Sequence, residues 1–253
     1  GLPPEFALHV PPTGKPALLP LLKPKGVLYS QSFHLDLGIL WTQRAKLFNE
    51  QQLKDVEKAE KDISKVLPGT TLGEMLQQVG PYHRFVSVGR VETPYKIQPE
   101  QPIPPFALVL SMRDRKFGAS ATSALRGLGF LAGLQAGVKV SEEQQDDITV
   151  VTYRFDENKP LPNDPGNLAF NFEPSFALVG DSLVLSSSKR LVKDLIPELQ
   201  AKPEPIADTT QVWRATGADP HAVEVAIARL RPRLGPAGAA LVTVPGRGYR
   251  LEP

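Results

Sequence analysis

The sequence predicts an α+β protein with a mainly antiparallel sheet and helices on one face of that sheet. Short apolar runs that suit strands alternate with longer stretches of helical periodicity. The composition, with 41% hydrophobic and 22% charged residues, is that of a globular protein. A chain of 253 residues is also long enough to bury a core in one large domain or two smaller ones.

Proline marks the predicted boundaries of the chain. Most of its 26 prolines lie in clusters at residues 3–24, 94–105 and 197–205. Because proline fixes φ and lacks a backbone donor, such clusters favour extended connections between elements. We therefore expect a proline-rich N-terminal arm (1–26), an α+β domain (27–200), a linker (201–211) and a C-terminal module (212–253). The same strand–helix–strand order occurs over 27–93 and 106–200. Two related units within the α+β domain are therefore one open alternative.

The first half of the domain is predicted to form a strand, a long helix and a second strand. Alternation of apolar and polar residues over 27–37 indicates a half-buried strand. Apolar residues at near-helical spacing predict one helix over 39–66, which Pro68 and Gly69 end. The run 85–88 indicates a short strand. His34 and Asp36 are expected to form a polar pair on the surface of the first strand.

The second half repeats this plan. Strands are predicted at 106–112 and 148–155, with a helix at 117–135 between them. Glycines at 127, 129, 133 and 137 favour close packing of that helix, and the acidic run 142–147 is predicted to be a solvated loop. Runs at 176–179 and 183–185 flank Gly180, which indicates a hairpin, and a last helix is expected at 191–199.

One segment in this half of the domain resembles a segment of known proteins. Residues 176–188 have the sequence Phe-Ala-Leu-Val-Gly-Asp-Ser-Leu-Val-Leu-Ser-Ser-Ser and precede a predicted helix. With the element pattern over 27–200, this phrase resembles a family of uncharacterised bacterial α+β proteins that are often extracytoplasmic. The resemblance implies no established activity.

The C-terminal module differs from the rest of the chain in its charged residues. Residues 212–253 contain no lysine, six arginines and three acidic residues, which leaves a net charge of +3. Since the whole chain carries +2, residues 1–211 carry −1. This change indicates a separate origin for the module, natural or engineered, with the junction near the linker.

The module also has a recognisable order of elements. Val223, Ile227, Leu230 and Leu234 form one apolar stripe on a predicted helix over 222–234, with Pro220 at its first turn. A Gly-Pro turn follows, then a strand over 240–244, a Pro-Gly turn and the sequence Gly-Tyr-Arg-Leu at 248–251. Residues 212–253 thus resemble the second half of a response-regulator winged-helix domain of the OmpR/PhoB type. A similar tail also occurs fused to some uroporphyrinogen-III synthases.

The resemblance implies DNA binding, with a recognition helix in the major groove and a β-hairpin wing beside it. The residues that we expect to contact DNA are His221, Arg229, Arg231, Arg233, Arg247 and Arg250. Arginines at these positions would contact phosphates, which give affinity without sequence information. Residues 197–211 contain no counterpart of the family's first sheet and first two helices, so the predicted winged helix is incomplete.

No catalytic, metal or cofactor site is predicted. The chain has no cysteine, and its four histidines lack a partner at the spacing of metal ligands. We expect a non-enzymatic DNA-binding protein with a role in transcription regulation. The alternative is a non-catalytic domain of the bacterial cell envelope with an inert tail. DNA binding implies a cytoplasmic location, a removed signal peptide implies an extracytoplasmic one, and no membrane span is predicted.

Overall fold

A computed structural model describes residues 4–11, 18–66, 71–89, 94–159, 161, 163–201, 214–215, 241–244 and 248–251. Eight of the described strands form one sheet: β1 (Val27–His34), β2 (Val79–Val88), β3 (Phe106–Met112), β4 (Lys139–Gln145), β5 (Ile148–Arg154), β6 (Ser175–Val179), β7 (Ser182–Ser186) and β8 (Arg214–Ala215). Their order is β4-β5-β6-β7-β3-β2-β1-β8. Every neighbouring pair is antiparallel. The predicted α+β class with a mainly antiparallel sheet is therefore confirmed.

The described helices connect and cover these strands. They are α1 (Leu37–Thr42), α2 (Arg44–Leu47), α3 (Glu50–Val66), α4 (Leu72–Gln78), α5 (Arg115–Ala136) and α6 (Lys189–Gln200), with 3-10 helices at Pro4–His9 and Pro165–Asn171. None of the helices in these described ranges has both the length and the apolar character needed to cross a bilayer.

The hydrophobic core lies between α6 and the central strands. Leu191, Val192, Leu195 and Ile196 of α6 are at most 1% exposed. They pack against one face of the sheet, whose buried side chains are Val86, Val88, Ala107, Val109, Val150, Ala177, Val179 and Val184. Burying one such aliphatic side chain contributes about 1.5–3 kcal/mol relative to leaving it exposed. The α6 face of the sheet is thus the main source of stability.

The helix α5 covers the opposite face. Leu178 lies between Ala177 and Val179 on β6, so its side chain leaves the sheet on the other side from α6. A Cβ atom on Gly118 of α5 would lie 2.9 Å from Leu178 Cδ1, and Tyr153 Oη donates to the Leu125 carbonyl of α5. The prediction that the helices lie on one face is therefore wrong, because β6 has apolar side chains on both faces.

The acidic run before β5 forms an edge strand instead of the predicted loop. Residues 139–145 pair along the whole of β5, and the turn is made by Asp146 and Asp147 at φ 48° and 62°. Two consecutive residues with positive φ suit the tight turn of a two-residue hairpin. Glu142 accepts from Arg126 of α5 at 2.7 Å, whereas Glu143 accepts from Lys193 of α6 at 2.5 Å. Adjacent acids on this strand thus bind helices on opposite faces.

The helix predicted at 39–66 is divided into three. Gln43 ends α1 and donates its N–H back to Ile39, and Phe48 is extended at φ −109° and ψ 143°. Asn49 then begins α3: its Oδ1 accepts from the Gln52 N–H at 2.9 Å, and Gln52 Oε1 accepts from the Asn49 N–H at 3.0 Å. This reciprocal capping favours a new helix start over continuation of the old one.

Other predicted elements agree closely with the structure. The strand at 106–112 is confirmed with the same bounds. The hairpin of β6 and β7 is confirmed, with Gly180 at φ 62° in its turn. The strand predicted at 85–88 is longer and begins at Val79, and the helix α4 before it was not predicted.

Part of the N-terminal arm packs against this domain. Leu22 is 2% exposed and belongs to the hydrophobic core. The Lys23 N–H donates to Glu198 of α6 at 2.7 Å, and the Leu19 N–H donates to Ser32 of β1 at 3.1 Å. Residues 18–23 therefore bridge α6 and β1.

Two glycines of α5 allow a test of its packing. A Cβ atom on Gly129 would overlap the Tyr153 ring, whereas one on Gly127 meets nothing within 4 Å. We expect Gly129→Ala to lower the free energy of unfolding by about 1–3 kcal/mol through overpacking. Gly127→Ala is the matched control and should be neutral or stabilising by up to about 1 kcal/mol. Urea denaturation measures both, and equal stabilities would contradict the packing of α5 on β5.

Candidate functional site

The C-terminal module contains a described hairpin. The strand β9 (Leu241–Val244) pairs with β10 (Gly248–Leu251) in an antiparallel two-stranded sheet. Val244 is opposite Gly248, and Leu241 is opposite Leu251. The hairpin coincides with the wing that the sequence predicts at 240–251.

Only one of the predicted DNA-contacting residues lies in the described part of the module. Arg250 is on β10, opposite Val242 of β9. The predicted recognition helix over 222–234 lies outside the described residues. So do the other predicted contact residues, which are His221, Arg229, Arg231, Arg233 and Arg247.

The module is joined to the large sheet at one edge. Arg214 and Ala215 form β8, which pairs with Ser30 and Tyr29 of β1. Since β8 is antiparallel to β1, it points towards the Val27 end of β1, which is the same end of the sheet as Phe106 of β3. This pairing places the first described residues of the module at the β1 edge of the sheet.

The body of the protein has a polar cluster at the other end of β1. Asp36 caps α1, because its Oδ1 accepts from the N–H groups of Gly38 at 3.0 Å and Ile39 at 3.2 Å. Its Oδ2 accepts from Arg113, which follows β3, at 2.7 Å. Asp36 therefore ties the loop after β3 to the start of α1. The predicted surface pair of Asp36 with His34 is wrong, since Asp36 lies beyond the strand and His34 is buried.

Two buried histidines lie near this end of β1, on opposite faces of the sheet. His34 is 7% exposed and packs edge-on against Tyr82 of β2 at 5.3 Å between ring centroids. His83 is 1% exposed, and its Nε2 lies 3.0 Å from the Leu35 carbonyl oxygen. Neither nitrogen of His34 has a hydrogen-bond partner in the structure, and neither does Nδ1 of His83. These rings are thus held by packing more than by polar contacts.

Burial governs the charge of these rings. It lowers the pKa of His34, against opposing effects of the Leu8 carbonyl and the Asp36 carboxylate, with His9 and Arg113 lowering it further. Burial also lowers the pKa of His83, where the Leu35 carbonyl opposes it and the charge on His34 adds to it. Both imidazoles are therefore expected to be neutral near pH 7.

A partly buried arginine lies on the same face of the sheet as His34. Arg84 of β2 is directly opposite Ser32, and its Nε has no hydrogen-bond partner in the structure. Burial lowers the pKa of Arg84, while the carboxylates of Glu198 and Asp181 raise it. Within the described ranges, no group of three or more His, Cys, Asp and Glu side chains is placed to hold a metal ion. The contacts of Asp36 and the charge interaction of Arg84 with Glu198 thus involve residues of β2 and α6, the start of α1 and the loop after β3.

In comparisons with protein-family models, curated proteins and solved structures, no match to this chain was found.

The two buried histidines predict a loss of stability in acid. Their folded-state pKa values lie below the ordinary value of about 6.5, so the unfolded chain binds more protons as the pH falls through that value. We expect the free energy of unfolding to be highest above about pH 7 and to fall below about pH 6.5, by up to about 1.4 kcal/mol per pH unit for each histidine.

The variant His34→Phe separates this effect from general acid unfolding. Phenylalanine keeps the ring contact with Tyr82 and removes two nitrogens that lack partners. Its stability at pH 7.5 should equal or exceed that of the wild type, and its decline towards about pH 5.5 should be smaller. Denaturant unfolding across this range measures both quantities, and identical declines would contradict the assignment to His34.

Proposed function

We propose that this protein is a non-enzymatic DNA-binding protein that contacts DNA through its C-terminal module. The observation that supports the proposal is the pairing of β9 with β10, because this hairpin falls in the segment whose sequence resembles a winged-helix wing. It follows the predicted helix over 222–234 in the order that a recognition helix and wing require. A role in transcription regulation is part of the proposal.

The distribution of charge supports DNA as the partner. The module carries +3 and the remaining residues −1, so positive charge is concentrated in the segment that contains the hairpin. Arg247 lies between the two hairpin strands in sequence, and Arg250 lies on the second strand. Arginines near a wing can neutralise phosphates and release counterions, which makes binding strongly dependent on salt.

The same residues suggest limited sequence discrimination. Reading bases in the major groove requires side chains with donors or acceptors at the start of the recognition helix. Here that start has the small apolar residues Ala222 and Ala226, with His221 before them. Phosphate contacts should therefore supply most of the affinity, and the protein would bind many duplexes with similar strength.

Fluorescence anisotropy with a labelled random-sequence duplex tests the proposal. Affinity should fall steeply between about 50 and 200 mM salt. Arg247→Ala and Arg250→Ala should each weaken binding and reduce the slope of log K against log salt by about 1. Lys58→Ala, an exposed residue of α3, is the matched control for loss of one positive charge outside the module.

A chain ending at Gln200, the last residue of α6, completes the experiment. Loss of salt-dependent binding in this shortened chain would assign the activity to the module. Absence of binding by the full chain would refute the proposal and favour the alternative, a non-catalytic cell-envelope domain with an inert tail.

A further inference from the structure

The face of the sheet opposite α6 has an apolar area at one end. Phe85 of β2, Phe106 of β3 and Leu108 of β3 lie on this side, because their strand neighbours Val86 and Ala107 belong to the α6 core. Phe106 is 39% exposed, and Phe85 and Leu108 are partly exposed, whereas Val86 and Ala107 are fully buried. We call Phe85, Phe106 and Leu108 the aromatic face.

These side chains form a continuous surface across the strands. The rings of Phe85 and Phe106 stack at 6.2 Å between centroids, Phe106 contacts Phe172 at 6.4 Å, and Tyr29 of β1 contacts Phe85 at 6.0 Å. Helix α5 packs elsewhere on this side, where its Gly118 meets Leu178 and Met112. Gly118 lies beside Met112, the last residue of β3, whereas Leu125 and Gly129 lie against Tyr153 of β5, so α5 crosses from β3 towards β5 and away from β2.

The C-terminal module begins beside the aromatic face. Ala215 of β8 pairs with Tyr29, which pairs in turn with Ser87, and Ser87 pairs with Phe106. The strand β8 therefore points towards the end of the sheet where Phe106 is exposed. Residues 216–221 then lead to the predicted helix, and six residues can span about 20 Å. Three strand spacings, from β8 to β3, are about 14 Å.

The predicted helix has an apolar stripe that needs a partner. Val223, Ile227, Leu230 and Leu234 share one side of it, but the elements that complete a winged helix are missing from residues 197–211. A helix over 222–234 would be about 20 Å long, enough to cross three strands. The length of residues 216–221, the direction of β8 and the apolar stripe of the predicted helix all favour one occupant of the aromatic face. That occupant is the helix over 222–234.

We infer that the aromatic face is the docking site of the helix over residues 222–234, which buries its apolar stripe on Phe85, Phe106 and Leu108. The body of the protein thereby supplies the core that the incomplete winged helix lacks. Because Arg229, Arg231 and Arg233 lie off the stripe, they remain on the outer side of the docked helix. The docking does not require DNA, so it stands or falls separately from the proposed function.

Cross-linking of engineered cysteines tests this inference without background, because the chain has no cysteine of its own. Ser87 lies opposite Phe106 in the sheet register, so the full-length double variant Ser87→Cys/Ile227→Cys places one thiol on each surface. A short bis-maleimide should link them within one chain. The yield should exceed that of both controls by about tenfold or more, because docking raises the effective concentration of the thiols.

The two controls change one position each. In Ser87→Cys/Val225→Cys the helix thiol points away from the stripe, and in Val140→Cys/Ile227→Cys the body thiol lies on β4 at the far edge of the sheet, where Val140 is 42% exposed. Adding Phe106→Asp to the test pair should reduce its yield to the level of the controls, since a charge would face the apolar stripe.

Each outcome decides the inference. A high yield of linked monomer that Phe106→Asp abolishes supports docking of the module on its own body. Equal yields for all pairs would mean that the helix does not dock there. A predominance of linked dimers would assign the aromatic face to a second copy of the chain. Both of the last two results overturn the inference, whether or not the protein binds DNA.

Discussion

The packing of α6 on the central strands is the interaction on which the rest of the structure depends. Four α6 side chains are at most 1% exposed, and they meet side chains from β2, β3, β5, β6 and β7. Since strand residues alternate between faces, this contact also decides which residues point the other way. Leu178 and Tyr153 are thereby available to α5, and Phe85 and Phe106 form the aromatic face. One buried helix thus determines what both faces of the sheet can contact.

The N-terminal arm also packs on the side of the sheet that α6 covers. Arg84 and His34 lie on the α6 side of the sheet with polar atoms that lack partners, and each such atom costs about 1–3 kcal/mol if it is left unsatisfied. Leu22 fills the core nearby, and the Lys23 N–H binds Glu198, whose charge faces Arg84. The arm therefore adds apolar area and a hydrogen bond to Glu198 on the side of the sheet that carries Arg84 and His34. Ordered water can satisfy the remaining atoms.

Sequence periodicity predicted the parts of the fold whose signals are local. The bounds of β3 and the turn at Gly180 follow from alternation and from a glycine with positive φ. Prediction failed where a cap or a turn overrides periodicity. Asn49 interrupts a helical pattern, and Thr71 with Glu74 forms a capping box that signals α4. The polar cluster could not be predicted, since Arg113 and Asp36 are 77 residues apart and meet only through strand pairing.

In the C-terminal module, docking of the predicted helix on the body and binding of DNA would be coupled. An isolated helix of about 13 residues is marginal in water, so the helix that the sequence predicts over 222–234 would need a surface to pack against before its arginines held a fixed arrangement. The two residues of β8 provide an attachment with few hydrogen bonds, so most of the ordering would come from apolar contact. Docking and DNA binding would then be linked: a duplex that binds the docked helix more tightly than the free one must strengthen docking by the same factor. The body would then act as a folding partner for the module, and substitutions that weaken docking would lower the affinity for DNA that we propose.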